Sequence, residues 1–135
     1  VYDQLGAMKT RQSLVFLDAC FSGTSRDDQM LAQARGVTIK PKAEKPEGNL
    51  IVFSSATGDE TAYPYKEKSH GLFTYFLLKK LKETNGNVTL GELSTYVTDE
   101  VGRYSIVVNN KSQTPVLSVS DASVGNWKQL KLKEK

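Results

Sequence analysis

The sequence predicts an α/β fold, a mostly parallel sheet sandwiched between helices, and three observations predict it. Leu14-Val15-Phe16-Leu17 and Leu50-Ile51-Val52-Phe53 are apolar runs without polar alternation, the pattern of strands covered on both faces. Both runs end in small or acidic polar residues, which suits strands that deliver chemistry at their carboxyl ends. Beyond the second run, apolar residues recur at helical spacing on either side of Asn85-Gly86. A chain of 135 residues with 39% hydrophobic and 24% charged residues is long enough for one domain with a real core and too short for two.

Charge and cysteine content exclude several functions. The formal net charge of +3 is small, and the basic residues gather in 40–45 and in the tail 128–135, which read as a solvated loop and tail. We expect no nucleic-acid or membrane partner. No stretch of the sequence has spanning length. The single cysteine excludes an internal disulfide framework and leaves the compartment open.

Taken in order, residues 1–23 form the first strand region. Tyr2, Leu5, Ala7 and Met8 at roughly helical spacing predict the tail of a helix leading into the strand. Parallel sheets grow by strand, helix, strand units, so a partner for this strand is expected earlier, in an N-terminal part or a separate chain. Residues 24–48 are a variable connection. Lys40-Pro41-Lys42-Ala43-Glu44-Lys45-Pro46 prevents regular structure, and a loop this long is either a mobile connection or a processed one.

Residues 49–120 hold the second buried strand, the loop 57–65, and a helix expected to be capped by Ser69 with Leu72, Phe73, Phe76, Leu77 and Leu81 inward. Thr89 and Glu92 have capping-box spacing at the head of a second helix, whose inner face is Leu90, Leu93, Val97, Val101 and Tyr104. Gln113-Thr114-Pro115-Val116-Leu117-Ser118-Val119-Ser120 enters a strand through proline, which predicts an edge strand. In residues 121–135, Trp127, Gln129, Leu130 and Leu132 alternate with lysines, as in a short strand or a tail.

Cys20 is the candidate nucleophile. A lone cysteine is commonly an inert core residue. Its place just past a buried strand, beside Asp18 and before Ser22-Gly23, is where an attacking thiol would stand on a rigid element. A thiol needs a base, naturally histidine. The one histidine, His70, sits in Lys68-Ser69-His70-Gly71-Leu72-Phe73, where a polar position at a helix start accounts for it without catalysis. A second chemistry is also open: Cys20-Phe21-Ser22-Gly23-Thr24-Ser25-Arg26 has the cysteine, five residues, arginine spacing of a phosphatase phosphate loop. Ala19 stands where such loops normally carry histidine, and the Asp18 carboxylate would repel a phosphate.

Val15-Phe16-Leu17-Asp18-Ala19-Cys20-Phe21-Ser22-Gly23 resembles the nucleophile segment of caspase-like cysteine peptidases, particularly bacterial metacaspase relatives. Val52-Phe53-Ser54-Ser55-Ala56-Thr57-Gly58-Asp59-Glu60-Thr61-Ala62 resembles their second strand and substrate loop. Ser69-His70-Gly71-Leu72-Phe73-Thr74-Tyr75 and Val88-Thr89-Leu90-Gly91-Glu92-Leu93 resemble the next two helix starts, and Gln113-Thr114-Pro115 the last strand.

The resemblance implies a thiol protease with a Cys-His dyad. In that family the histidine lies about fifty residues before the cysteine, so it would belong to an upstream segment or separate chain, and His70 would not be it. The oxyanion hole would combine the Cys20 amide with one beside that histidine. Caspases that cut after aspartate carry glutamine where Asp18 stands, and arginines where this chain reads Ala62-Tyr63-Pro64. A partly buried acid at the base of the first specificity pocket suits arginine or lysine before the scissile bond, with Asp59, Glu60, Ala62 and Tyr63 completing the substrate site. The loop 57–65 would pair with the substrate backbone. Arg35, Lys40, Lys42 and Lys45 would then be candidate self-cleavage sites. No cofactor or metal is required. The resemblance leaves calcium activation open, although Asn85-Gly86-Asn87 lacks the clustered carboxylates of a calcium loop. A non-catalytic scaffold of the same fold is the reading from another functional class.

Overall fold

A computed structural model of the chain describes residues 4, 12–18, 46–57, 60, 62–123 and 125–133. Of the expected opening helix, Gln4 is the described residue, and it is helical. Strands β1 (Ser13–Leu17), β2 (Leu50–Ser54) and β5 (Val116–Val119) form a sheet in the order β1-β2-β5. The β1–β2 pair is parallel and the β2–β5 pair antiparallel, so the described sheet is mixed. β5 lies at its edge, where a strand entered through Pro115 leaves no ladder position without a donor.

The unbroken apolar run of β2 is buried on both faces, as its composition requires: Leu50, Ile51, Val52 and Phe53 have almost no exposed surface. β1 differs from the same expectation. It is only half-buried, and Phe16 is 37% exposed, because β1 is the other edge of the described sheet.

Helices α1 (Leu72–Glu83) and α2 (Leu90–Asn109) pack together over the Phe53 face of the sheet. Phe73 of α1 meets Phe53 edge-on, with ring centroids 4.9 Å apart, and Phe76 continues the contact to Tyr104 of α2 at 5.0 Å. Leu72, Phe73, Phe76 and Leu77 from α1, with Leu93, Val97 and Val101 from α2, complete this core. They are the helical stripes that spacing alone predicts. Thr89 and Glu92 form the reciprocal capping box, each side chain accepting from the other's backbone N–H.

The head of α1 departs from expectation. Ser69 is not its cap; the helix begins after Gly71 with no side-chain cap, and Ser69 adopts a left-handed φ of 57°. The preceding residues pair instead as a two-residue antiparallel ladder, β3 (Pro64–Tyr65) with β4 (His70–Gly71), and the Leu72 N–H donates to Tyr63 O at 3.0 Å. Tertiary hydrogen bonds thus meet the needs a local cap would have met. His70 is exposed on β4. The tail is docked on α2 rather than free: Leu90 N–H donates to Leu130 O, Leu132 N–H to Val88 O, and Thr89 bridges to Lys131.

Candidate active site

The parallel register brings the carboxyl ends of β1 and β2 level. Leu17 pairs with Ser54, and the Ser55 N–H donates to Leu17 O at 2.8 Å, extending the ladder past both strands. Asp18 therefore emerges beside Ser54 and Ser55 at the carboxyl edge, where open α/β sheets bind ligands.

Asp18 is half-buried, and its Oδ2 accepts a hydrogen bond of 2.6 Å from the Thr74 hydroxyl. Thr74 stands in the first turn of α1, a turn with no acidic residue of its own. A carboxylate arriving there from β1 supplies negative charge where unpaired N–H groups leave the helix end positive. Cys20 follows Asp18 by two positions and lies outside the described residues, as do Asp59, Arg35, Lys40, Lys42 and Lys45.

The loop after β2 is held by 112–114, the segment that leads into β5. Gln113 has no exposed surface, and its amide works in both directions: Nε2 donates to Ser55 O at 2.8 Å, while Oε1 accepts from the Tyr63 N–H at 2.8 Å. Its own N–H donates to Ser105 Oγ at 3.1 Å, fixing the segment to α2. One buried side chain so spans the base of the loop, from its first residue to its return.

On the outer side, the Glu60 carboxylate accepts from the Thr114 N–H at 2.6 Å, from Ser112 Oγ at 3.0 Å and from Thr114 Oγ1 at 3.2 Å. Partial burial pushes the Glu60 carboxyl upward. Hydrogen bonds from the Thr114 backbone and from the Ser112, Thr114 and Thr57 side chains outweigh that and hold it below its ordinary value.

These contacts give the expected substrate residues different places. Ala62 has no exposed surface. The Tyr63 N–H is committed to Gln113 and its carbonyl already accepts from Leu72, so the substrate backbone does not find its donor at Tyr63. Its partly buried ring packs against the helical core. Glu60 is a loop clamp whose charge remains near the carboxyl edge. The structure joins Asp18 to α1, and Glu60 and Tyr63 to the segment before β5.

Thr74 and Gln113 are absent from the residues that sequence reasoning singles out. Both fall inside segments that carry the family resemblance, but nothing in the local sequence announces the partner of either.

A half-buried strand that ends in a carboxylate at the carboxyl edge of an α/β sheet, two residues before the chain's one cysteine, is the class of site this chain presents. Residues 1–124 match the family model of the caspase domain, Peptidase C14, and the chain belongs to that family of cysteine-type peptidases. No curated protein matches the chain.

Proposed function

We propose that this chain carries the nucleophile and the specificity acid of a cysteine endopeptidase that cleaves polypeptides after arginine or lysine. The observation that carries the reading is the half-buried Asp18 carboxylate, held at the carboxyl edge two residues before Cys20.

In this reading the Cys20 Sγ, as thiolate, attacks the carbonyl carbon of the scissile bond, and the electron pair moves onto the carbonyl oxygen, stabilised by backbone N–H donors. Collapse of that tetrahedral intermediate breaks the C–N bond. The amine leaves with a proton from an upstream histidine, and water then hydrolyses the thioester, returning the thiol. Asp18 recognises the side chain before the scissile bond. A guanidinium binds a carboxylate through two parallel N–H donors, and charge-assisted bonds of that kind contribute roughly 1.5–3 kcal/mol each when water is excluded. One such bond alone predicts a preference for arginine over a neutral residue of roughly ten- to a hundredfold. Arg35, Lys40, Lys42 and Lys45 are the matching self-cleavage candidates within the chain.

The test uses the full-length protein against fluorogenic peptides ending in arginine, lysine or aspartate, with Cys20→Ala as control. Cysteine-dependent cleavage after arginine or lysine is the expected result. Cleavage confined to aspartate would discard the role of Asp18, and turnover of a phosphate ester in place of peptides would discard the peptidase reading.

A further inference from the structure

We propose that Thr74 is the positioning residue of the specificity pocket: its hydroxyl sets the orientation of the Asp18 carboxylate before substrate arrives. This rests on the reading of Asp18 as the acid that binds the basic side chain.

The Thr74 Oγ1 to Asp18 Oδ2 distance of 2.6 Å lies in the range of hydrogen bonds to an ionised carboxylate, which are about twice as strong as neutral ones. A hydroxyl has one hydrogen, and that of Thr74 is committed to Asp18. A helical threonine more often donates to a carbonyl one turn back. The donor also sits on a rigid element. Its neighbour Phe73 is fully buried and packs edge-on against Phe53 of β2, and β2 is in register with the strand that delivers Asp18. The two partners are 56 positions apart in sequence, yet two short packing links fix their separation.

Threonine is suited to the task because branching at Cβ restricts χ1, so its hydroxyl is a less mobile donor than that of serine. A carboxylate offers roughly four lone-pair positions. The bond from Thr74 occupies one of them and restrains the plane of the group. Loss of this bond loosens the orientation of the carboxylate, which weakens recognition of the basic side chain more than it slows the chemistry.

The experiment compares full-length wild type, Thr74→Val, Thr74→Ser and Asp18→Asn on paired peptides that differ only in arginine or a neutral residue before the scissile bond. Benzamidine, a bare cationic amidine, serves as a competitive probe. Thr74→Val should lower kcat/KM on the arginine peptide about tenfold, the order of one hydrogen bond to an ionised group. The change should appear mainly in KM, with a matching rise in the benzamidine inhibition constant and little change on the neutral peptide. Thr74→Ser should recover most of the loss.

The arginine-to-neutral ratio is unaffected by any inactive fraction, and Thr74→Ala replaces the valine variant should that one not fold. Equal losses on both peptides, or an unchanged ratio with unchanged benzamidine inhibition, would overturn the proposal. If Asp18→Asn abolishes the arginine preference while Thr74→Val leaves it intact, the positioning role alone fails. If Asp18→Asn keeps the preference, the specificity reading and this inference fail together.

Discussion

At the residue scale, the loop over the carboxyl edge depends on Gln113 and Glu60, which differ in how their removal would be felt. Gln113 is fully buried and satisfies groups on both sides of the loop base. Gln113→Leu keeps most of the volume but takes the acceptor from the Tyr63 N–H and a donor from Ser55 O. A buried polar group deprived of its partner costs about 1–3 kcal/mol, so urea denaturation should show a loss of about 2–4 kcal/mol. Glu60 acts through charge. Its folded carboxyl titrates below the ordinary value of 4.5, so it binds fewer protons in the folded chain than in the unfolded one. The stabilisation is therefore fully present above the ordinary value and is lost as the pH falls through the folded one. Glu60→Gln should lower stability by about 1 kcal/mol at neutral pH. Its urea midpoint should converge on that of the wild type as both are acidified below pH 4.5. Parallel curves across that range would mean that the three bonds from 112–114 do not depend on ionisation.

At the element scale, α2 contains an internal comparison. Gly91 and Gly102 both lie in this helix, where alanine is ordinarily favoured over glycine by up to about 1 kcal/mol. A Cβ on Gly102 would meet nothing within 4 Å, so Gly102→Ala should be stabilising by about 0.5–1 kcal/mol. A Cβ on Gly91 would stand 2.9 Å from the Lys128 carbonyl oxygen and 3.1 Å from the Lys128 Cβ, in the tail that docks on this helix. Gly91→Ala should therefore have the opposite sign and push the tail away. Trp127, the single tryptophan, adjoins the contact, and its emission should shift to the red in Gly91→Ala and stay unchanged in Gly102→Ala. The elements most legible in the sequence were those whose signals are local: the unbroken run of β2, the stripes of α1 and α2, and the Thr89–Glu92 box. The start of α1 was not legible, because the β3–β4 ladder and the Tyr63 carbonyl replace the cap that Ser69 would have supplied. The site divides in the same way. Asp18 could be read from where an unbroken apolar run stops, whereas Thr74 and Gln113 act on partners 56 and 58 positions distant, and no spacing rule reaches that far.

At the scale of the whole molecule, the proposed chemistry bears on the connection between the strands that present it. Arg35, Lys40, Lys42 and Lys45 all lie between β1 and β2, so a cut after any of them divides the chain between two strands that remain joined by a full parallel ladder. The Phe16–Phe53 contact and the Thr74–Asp18 bond also cross the division. Cleavage there would leave the sheet and the carboxyl edge intact while freeing the segment that follows Cys20. If basic side chains are what Asp18 selects, incubation of active full-length protein should yield two fragments by denaturing mass spectrometry, divided after one of these four residues. Those fragments should co-elute as one species in native size-exclusion chromatography. Cys20→Ala and Asp18→Asn should both stay uncut alone, and added wild-type enzyme should cut the Cys20→Ala chain at the same residue. An intact mass after prolonged incubation of protein that still cleaves an arginine peptide would remove self-processing from the reading, because substrate selectivity would then be present without any effect on the chain's own basic loop.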